Sequence, residues 1–184
     1  AGVEPSRLHR LPNPVHEPDL PDRRAAREQL QQRFGIPGDG QFVLYPVRGI
    51  GRKNIGEALL WSSIADSRSF FGLTLAPINP LERAGYDRWT GLARELNLNW
   101  QFEMGEADGL PFPQILAAAD LLLTTSVAEG FGMTYLESCL AGIPLAGRDL
   151  PRITADFTDC GLQFPWLKPE FQIPVDWLDT DSLF

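Results

Sequence analysis

Lysine and histidine are nearly missing from this 184-residue chain, which has two of each: Lys53 and Lys168, His9 and His16. Cysteine is as scarce, with Cys139 and Cys160 and no CxxC spacing between them. Both histidines fall in a proline-broken opening stretch, far in sequence from either cysteine. That distribution argues against a zinc site, and no metal is expected. The two thiols read as buried and reduced. Positive charge is short as well: the formal net charge is −8 and the pI is near 4.7. An acidic surface of this kind excludes nucleic acid as the main partner. No apolar run approaches the ~20 residues of a membrane helix, and no signal-peptide core opens the chain. A cytoplasmic protein without a transmembrane segment is expected.

What is present is ordinary in bulk and specific in detail. Hydrophobic residues make up 43% and charged residues 22%, as in soluble globular domains. The length suits one domain that buries its own core without disulfides or metals. Since the other cations are arginines, a lysine at position 53 suggests a place for a compact ammonium.

In chain order, residues 1–21 carry five prolines and no sustained periodicity, so they read as a linker or edge segment. A Rossmann-like domain is expected over 22–184. Apolar residues at Ala26, Leu30 and Phe34 predict a helix from Asp22 to Phe34, stopped by Gly35 and Pro37. Phe42–Val47 is the first strand, with Pro46 expected to confine its ladder. Asn54 followed by Glu57 reads as a capped helix start, running to about Ala65. Phe71–Ala76 is the second strand. Asn79 and Pro80 open a helix to about Leu96, burying Tyr86, Trp89, Ala93 and Leu96. Asn99–Phe102, Leu121–Thr124 and Pro144–Ala146 are further strands, with a helix over Pro113–Ala119 and another ending at Gly142. Strands alternating with amphipathic helices predict an α/β fold, a parallel sheet with helices on both faces. No repeat is visible, and after Cys160 the pattern assigns nothing.

Two stretches carry chemistry. Arg48-Gly-Ile-Gly-Arg-Lys53 precedes a helix N-terminus, where free N–H groups, the helix dipole and full cations favour a polyanion. A solvated basic turn is the plain alternative. A dinucleotide fingerprint fits poorly, because Asn54 takes the third glycine position and no acid ends the second strand. The second stretch is Glu129-Gly-Phe-Gly-x4-Glu137. A helix beginning near Gly132 would aim its amides above the strand ends, and Gly130 and Gly132 would permit close approach of a ligand. Glu137 would lie on the same side as Met133, a carboxylate in need of a partner. A purely structural capping box, Thr134-x-x-Glu137, is the alternative. Asp179-Thr-Asp181 spells a metal–diphosphate signature, but coincidence is the better reading in so acidic a chain.

Glu129 and Glu137 at this spacing resemble the E-x7-E motif of retaining GT-B glycosyltransferases, specifically glycosyltransferase family 4. The match continues through Ala119-Asp120, Ser126 and Ala141-Gly142-Ile-Pro144. Arg48 and Lys53 resemble the family's phosphate-holding pair, and Leu11-Pro-Asn-Pro-Val15 its interdomain connection. The resemblance spans roughly residues 8 to 162. It implies the C-terminal, donor-binding half of a GT-B enzyme, with the N-terminal acceptor domain absent and the isolated piece inactive. A nucleotide-diphosphate sugar would be the donor substrate, with no cofactor required and a hexosyl group transferred to an acceptor. In that family Glu137 would hold the ribose. Glu129 and the backbone of Gly130, Phe131, Gly132, Met133 and Thr134 would face sugar and diphosphate, and Phe102–Gly105, including Met104, would border the base. Arg48, Lys53 and Glu129 would serve catalysis.

The chain departs from the family where a glycine pair and proline–glutamate are usual; here stands Arg148-Asp-Leu-Pro151-Arg152. Asn54 replaces a usual glycine. A degenerate, non-catalytic GT-B module stays open as an alternative, as does another GT-B enzyme such as a nucleotide-sugar epimerase or phosphorylase.

Overall fold

The computed structural model describes residues 4–7, 14–106 and 108–177. The Leu11–Asn13 part of the expected connection and Asp179-Thr-Asp181 lie outside them. The elements are α1 (Arg23–Phe34), β1 (Gln41–Arg48), α2 (Ile55–Ile64), β2 (Ser69–Leu75), α3 (Pro80–Glu95), β3 (Trp100–Gln101), α4 (Phe112–Ala117), β4 (Leu121–Thr124), α5 (Met133–Ala141), β5 (Leu145–Arg148), α6 (Pro151–Asp159) and β6 (Trp166–Lys168). The strands form one sheet in the order β3-β2-β1-β4-β5-β6, and every pairing is parallel.

Alternation along the strands divides the core in two. Phe42, Leu44 and Leu122 face α1 and α4, together with Leu30, Ile115 and Leu116. Val43, Tyr45, Phe71, Leu73 and Leu123 face α2 and α3, with Ile55, Leu59 and Tyr86. Helices therefore cover both faces, which is why the strands read as nearly continuous apolar runs. The chain moves outward from β1 to β3 and then returns to begin β4 on the other side of β1. The crevice outside the carboxyl ends of β1 and β4 is the topological switch point, where open α/β sheets bind ligands.

Pro46 lies inside β1, and the ladder to β2 shifts register between Tyr45 and Arg48. A residue with no N–H to donate thus sits where the ladder is already irregular. At the opposite end of the sheet, Asp120 accepts from the Phe42 amide at 2.6 Å, returns its own amide to the Phe42 carbonyl at 2.9 Å, and pairs with Arg23 and Arg27.

Several local expectations are corrected. Asn54 does not cap α2; it adopts a left-handed conformation (φ 49°) and makes no side-chain bond to the helix backbone. Leu96 is 55% exposed, because α3 ends at Glu95 and its buried face is carried by Tyr86, Thr90 and Ala93. Cys139 and Cys160 are both exposed: α5 buries Thr134, Tyr135 and Ser138, and Cys139 stands one residue off that face. The stretch after β5, read only as an altered loop, is helix α6. The unassigned tail contributes β6, paired with β5, and Phe171 packs edge-on against Trp61 of α2 at 5.2 Å.

Candidate functional site

The loop after β1 and the loop after β4 meet at the switch point. Val127 donates its amide to the Arg52 carbonyl at 2.9 Å, and the Thr125 hydroxyl bonds the carbonyls of Lys53 and Asn54 at 3.0 Å each. The Tyr45 hydroxyl donates to the Lys53 carbonyl at 2.6 Å and lies 3.1 Å from Ser126. Burial pushes the Tyr45 phenol up to about 12, outweighing the hydrogen bonds it makes. It is therefore a neutral donor near pH 7 and a fixed strut under the loop.

These contacts present Lys53 to Glu129. The ammonium pairs with one carboxylate oxygen, and Arg52 reaches the other at 3.1 Å. Burial pushes the Glu129 carboxyl up, but hydrogen bonds from Lys53 and Ser126 and the charges of Lys53 and Arg52 outweigh it, holding the group below the usual carboxylate range. Glu129 is therefore ionised, with its charge already matched by two cations.

Glu137 follows one turn into α5. The helix begins at Met133 with Gly132 as its N-cap, and no side chain caps it. Thr134 lies inside the first turn, so the capping-box reading does not hold. Burial raises the Glu137 carboxyl above its usual range, against the pull of Lys53. Gly132 has φ 67°, and a Cβ there would come within 2.5 Å of Ile153 on α6. The glycine is thus required by α6 packing as well as by the backbone turn. Gly130 has nothing within 4 Å of a hypothetical Cβ, so its side faces open space.

A cleft of about 360 Å³ joins these groups: Arg48, Lys53, Glu129, the run Gly130–Thr134 and Glu137 all line it. Arg48 also lines a second cavity, of about 600 Å³, walled by Phe102, Glu103 and Ile78 among others. It is held there by its bond to the Ala76 carbonyl at 2.5 Å. The two cavities share Arg48 in their walls. Met104 is the exception among the expected donor-binding residues. Its side chain is fully buried in the core under Gly72, and it lines neither cavity.

Three features escaped the sequence. Glu82, in the first turn of α3, accepts from the Gly51 amide at 2.8 Å and closes the β1 loop. Glu106 accepts from the Ala76 amide at 2.9 Å and fixes the far wall. Arg148 crosses from β5 to Glu57 on α2. None carries a local signal, because each partner is distant in sequence. Among the described residues no cluster of His, Cys, Asp and Glu could hold a metal, and no helix is long and apolar enough to cross a membrane.

No protein-family model matches the chain. A curated protein, mannosylglucosyl-3-phosphoglycerate synthase from Petrotoga mobilis, is 36% identical over 106 residues, which is 57% of this chain and 21% of that protein. The chain thus spans about a fifth of this relative's length. Among solved structures, the glycosyltransferase WaaG, involved in lipopolysaccharide biosynthesis, superposes on 86% of this chain and 42% of its own, with TM-score 0.63 and 24% identity. Anabaena Alr3699/HepE, in complex with UDP-glucose, covers 66% of this chain and 33% of its own, with TM-score 0.57 and 23% identity. The fold is that of the Rossmann-like half of the GT-B glycosyltransferases, to which this chain is similar in structure and, over its matched part, in sequence.

Proposed function

We propose that this chain is the nucleotide-sugar donor-binding domain of a retaining glycosyltransferase of family 4, one that transfers a hexosyl group. The observation that carries the reading is convergence. Three cations, Arg48 at the end of β1 with Arg52 and Lys53 in the loop after it, line one cleft at the switch point with two carboxylates and the first residues of α5. Departure of a nucleoside diphosphate builds negative charge on the diphosphate. Arg48, Lys53 and the α5 N-terminus offer preorganised compensation without a metal.

The roles follow from position. Glu137 accepts from the ribose hydroxyls, which gives its half-buried charge hydrogen-bond donors it lacks among the described residues. Glu129 and the Gly130–Thr134 backbone face the sugar and diphosphate. The cavity beyond Arg48, beside Phe102 and Glu103, takes the base. The acceptor is bound by a second domain that closes over the cleft, in keeping with the share of WaaG that this chain spans. The isolated 184 residues therefore bind donor and transfer little. The same reading takes the protein to be cytoplasmic.

Calorimetric titration with UDP, GDP, ADP and their sugar conjugates, without metal and then with magnesium, tests this. One nucleotide is expected to bind without metal. No binding at millimolar concentration, by this chain or by a longer protein joining it to an acceptor-binding domain, would leave the degenerate-module alternative instead.

A further inference from the structure

Arg148 stands where the resemblance leads one to expect small residues, and the structure gives it a defined task. Its Nε and Nη2 donate to one carboxylate oxygen of Glu57 at 3.1 and 2.5 Å. That oxygen also accepts from Asn54 Nδ2 at 2.8 Å. A third nitrogen, Nη1, donates to the Pro169 carbonyl at 3.1 Å, tying in the segment after β6. Glu57 is buried to a side-chain exposure of 10%, so its charge depends on these donors.

Asn54 follows Lys53 directly and occupies the left-handed region, φ 49° and ψ 56°. Asparagine visits this region more readily than other side-chain-bearing residues, and a hydrogen bond on its amide holds it there. With that bend fixed, the Lys53 ammonium points into the cleft at Glu129. Electrostatics add a constraint. Arg148 sits beside the first turn of α2, the positive end of the helix dipole, and is tolerated because Glu57 lies between them.

We propose that Arg148 and Glu57 are positioning residues for the diphosphate site: through Asn54, and alongside the Tyr45 and Thr125 hydroxyls on the same backbone, they fix the bend that aims Lys53. This rests on reading the cleft as a diphosphate site. Neither side chain is given a contact with the donor. A fork of two N–H groups on one oxygen is a guanidinium property, so Arg148→Lys should restore only part of what Arg148→Met removes.

The test is a double-mutant cycle. Arg148→Met should weaken binding of whichever diphosphate, UDP or GDP, binds the parent chain, by about 10-fold. The corresponding monophosphate should change by less than about twofold on the same reasoning. In a Lys53→Ala background the same change should add nothing. Equal losses in both backgrounds, or no loss at all, would overturn the proposal. Thermal midpoints confirm folding, and Glu57→Gln replaces Arg148→Met if the latter does not fold. If the parent chain binds no diphosphate, the diphosphate reading fails and the positioning claim is read separately. Lysine-labelled protein has two side-chain ammonium groups, Lys53 and Lys168, assigned with Lys168→Arg. Arg148→Met should shift the Lys53 signal, and an unmoved signal would overturn the claim.

Discussion

Lys53 and Glu129, 76 residues apart in sequence, form an ion pair at the ends of β1 and β4, with side chains 10% and 8% exposed. The pair joins the two stretches that carry the chemistry and matches a buried cation with a buried anion. Glu129→Gln should destabilise the chain by about 1–3 kcal/mol, since it leaves an ammonium short of its partner. Chemical denaturation at pH 7 measures the loss.

The acid response of that pair has a definite sign. Glu129 is held below its ordinary range in the folded state, so its contribution is fully present above the unfolded-state value. It is lost as pH falls through the folded-state value. Parent and Glu129→Gln should therefore converge in stability under acid and diverge toward neutrality. Denaturation midpoints across pH 3 to 7, a range set by the ordinary carboxylate values near 4, check this.

Glu137 should behave in the opposite way. Burial raises its folded-state value, so the ionised form is unfavourable to folding above that value and the cost is relieved as pH falls through it. Glu137→Gln should leave stability at pH 7 unchanged or slightly higher. It should also weaken nucleotide binding by roughly 10-fold, as loss of a charged hydrogen bond does. A variant that loses stability and keeps affinity would contradict both assignments.

The glycines of the acidic loop separate cleanly. Gly132→Ala meets a left-handed backbone and a Cβ 2.5 Å from Ile153, and should cost about 2–3 kcal/mol. Gly130→Ala has open space at its Cβ and an ordinary φ, and should stay within about 0.5 kcal/mol. Thermal melts of the two variants provide the comparison.

The sheet was legible because its strands are buried on both faces and its helices carry period-3.6 faces; β4 falls at Leu121–Thr124, where the apolar run alone put it. What escaped depended on distant partners or on very short elements. β6 has three residues, only one of them buried, and exists by pairing with β5. Asn54 has the residue type and spacing of a cap, yet its amide is drawn to Glu57 by Arg148, 91 residues from that carboxylate. Arg148 read as a departure from a pattern, and its role appears only once β5 lies beside α2. The cleft residues were nameable in advance because backbone geometry, rather than side-chain reach, brings them together. Met104 belongs to a segment whose Phe102 and Glu103 border the second cavity, while its own side chain turns inward beneath Gly72.

Two lysines allow a direct test of the central claim, that the switch-point cleft binds a nucleoside diphosphate. Lys53→Ala and Lys168→Ala each remove one ammonium, the first from the cleft and the second from the exposed end of β6. Calorimetry of both variants and the parent chain against UDP and GDP is the measurement. Metal-independent binding is expected for the parent and for Lys168→Ala, with Lys53→Ala weaker by roughly 10-fold or more. Equal affinity in all three proteins would contradict the claim.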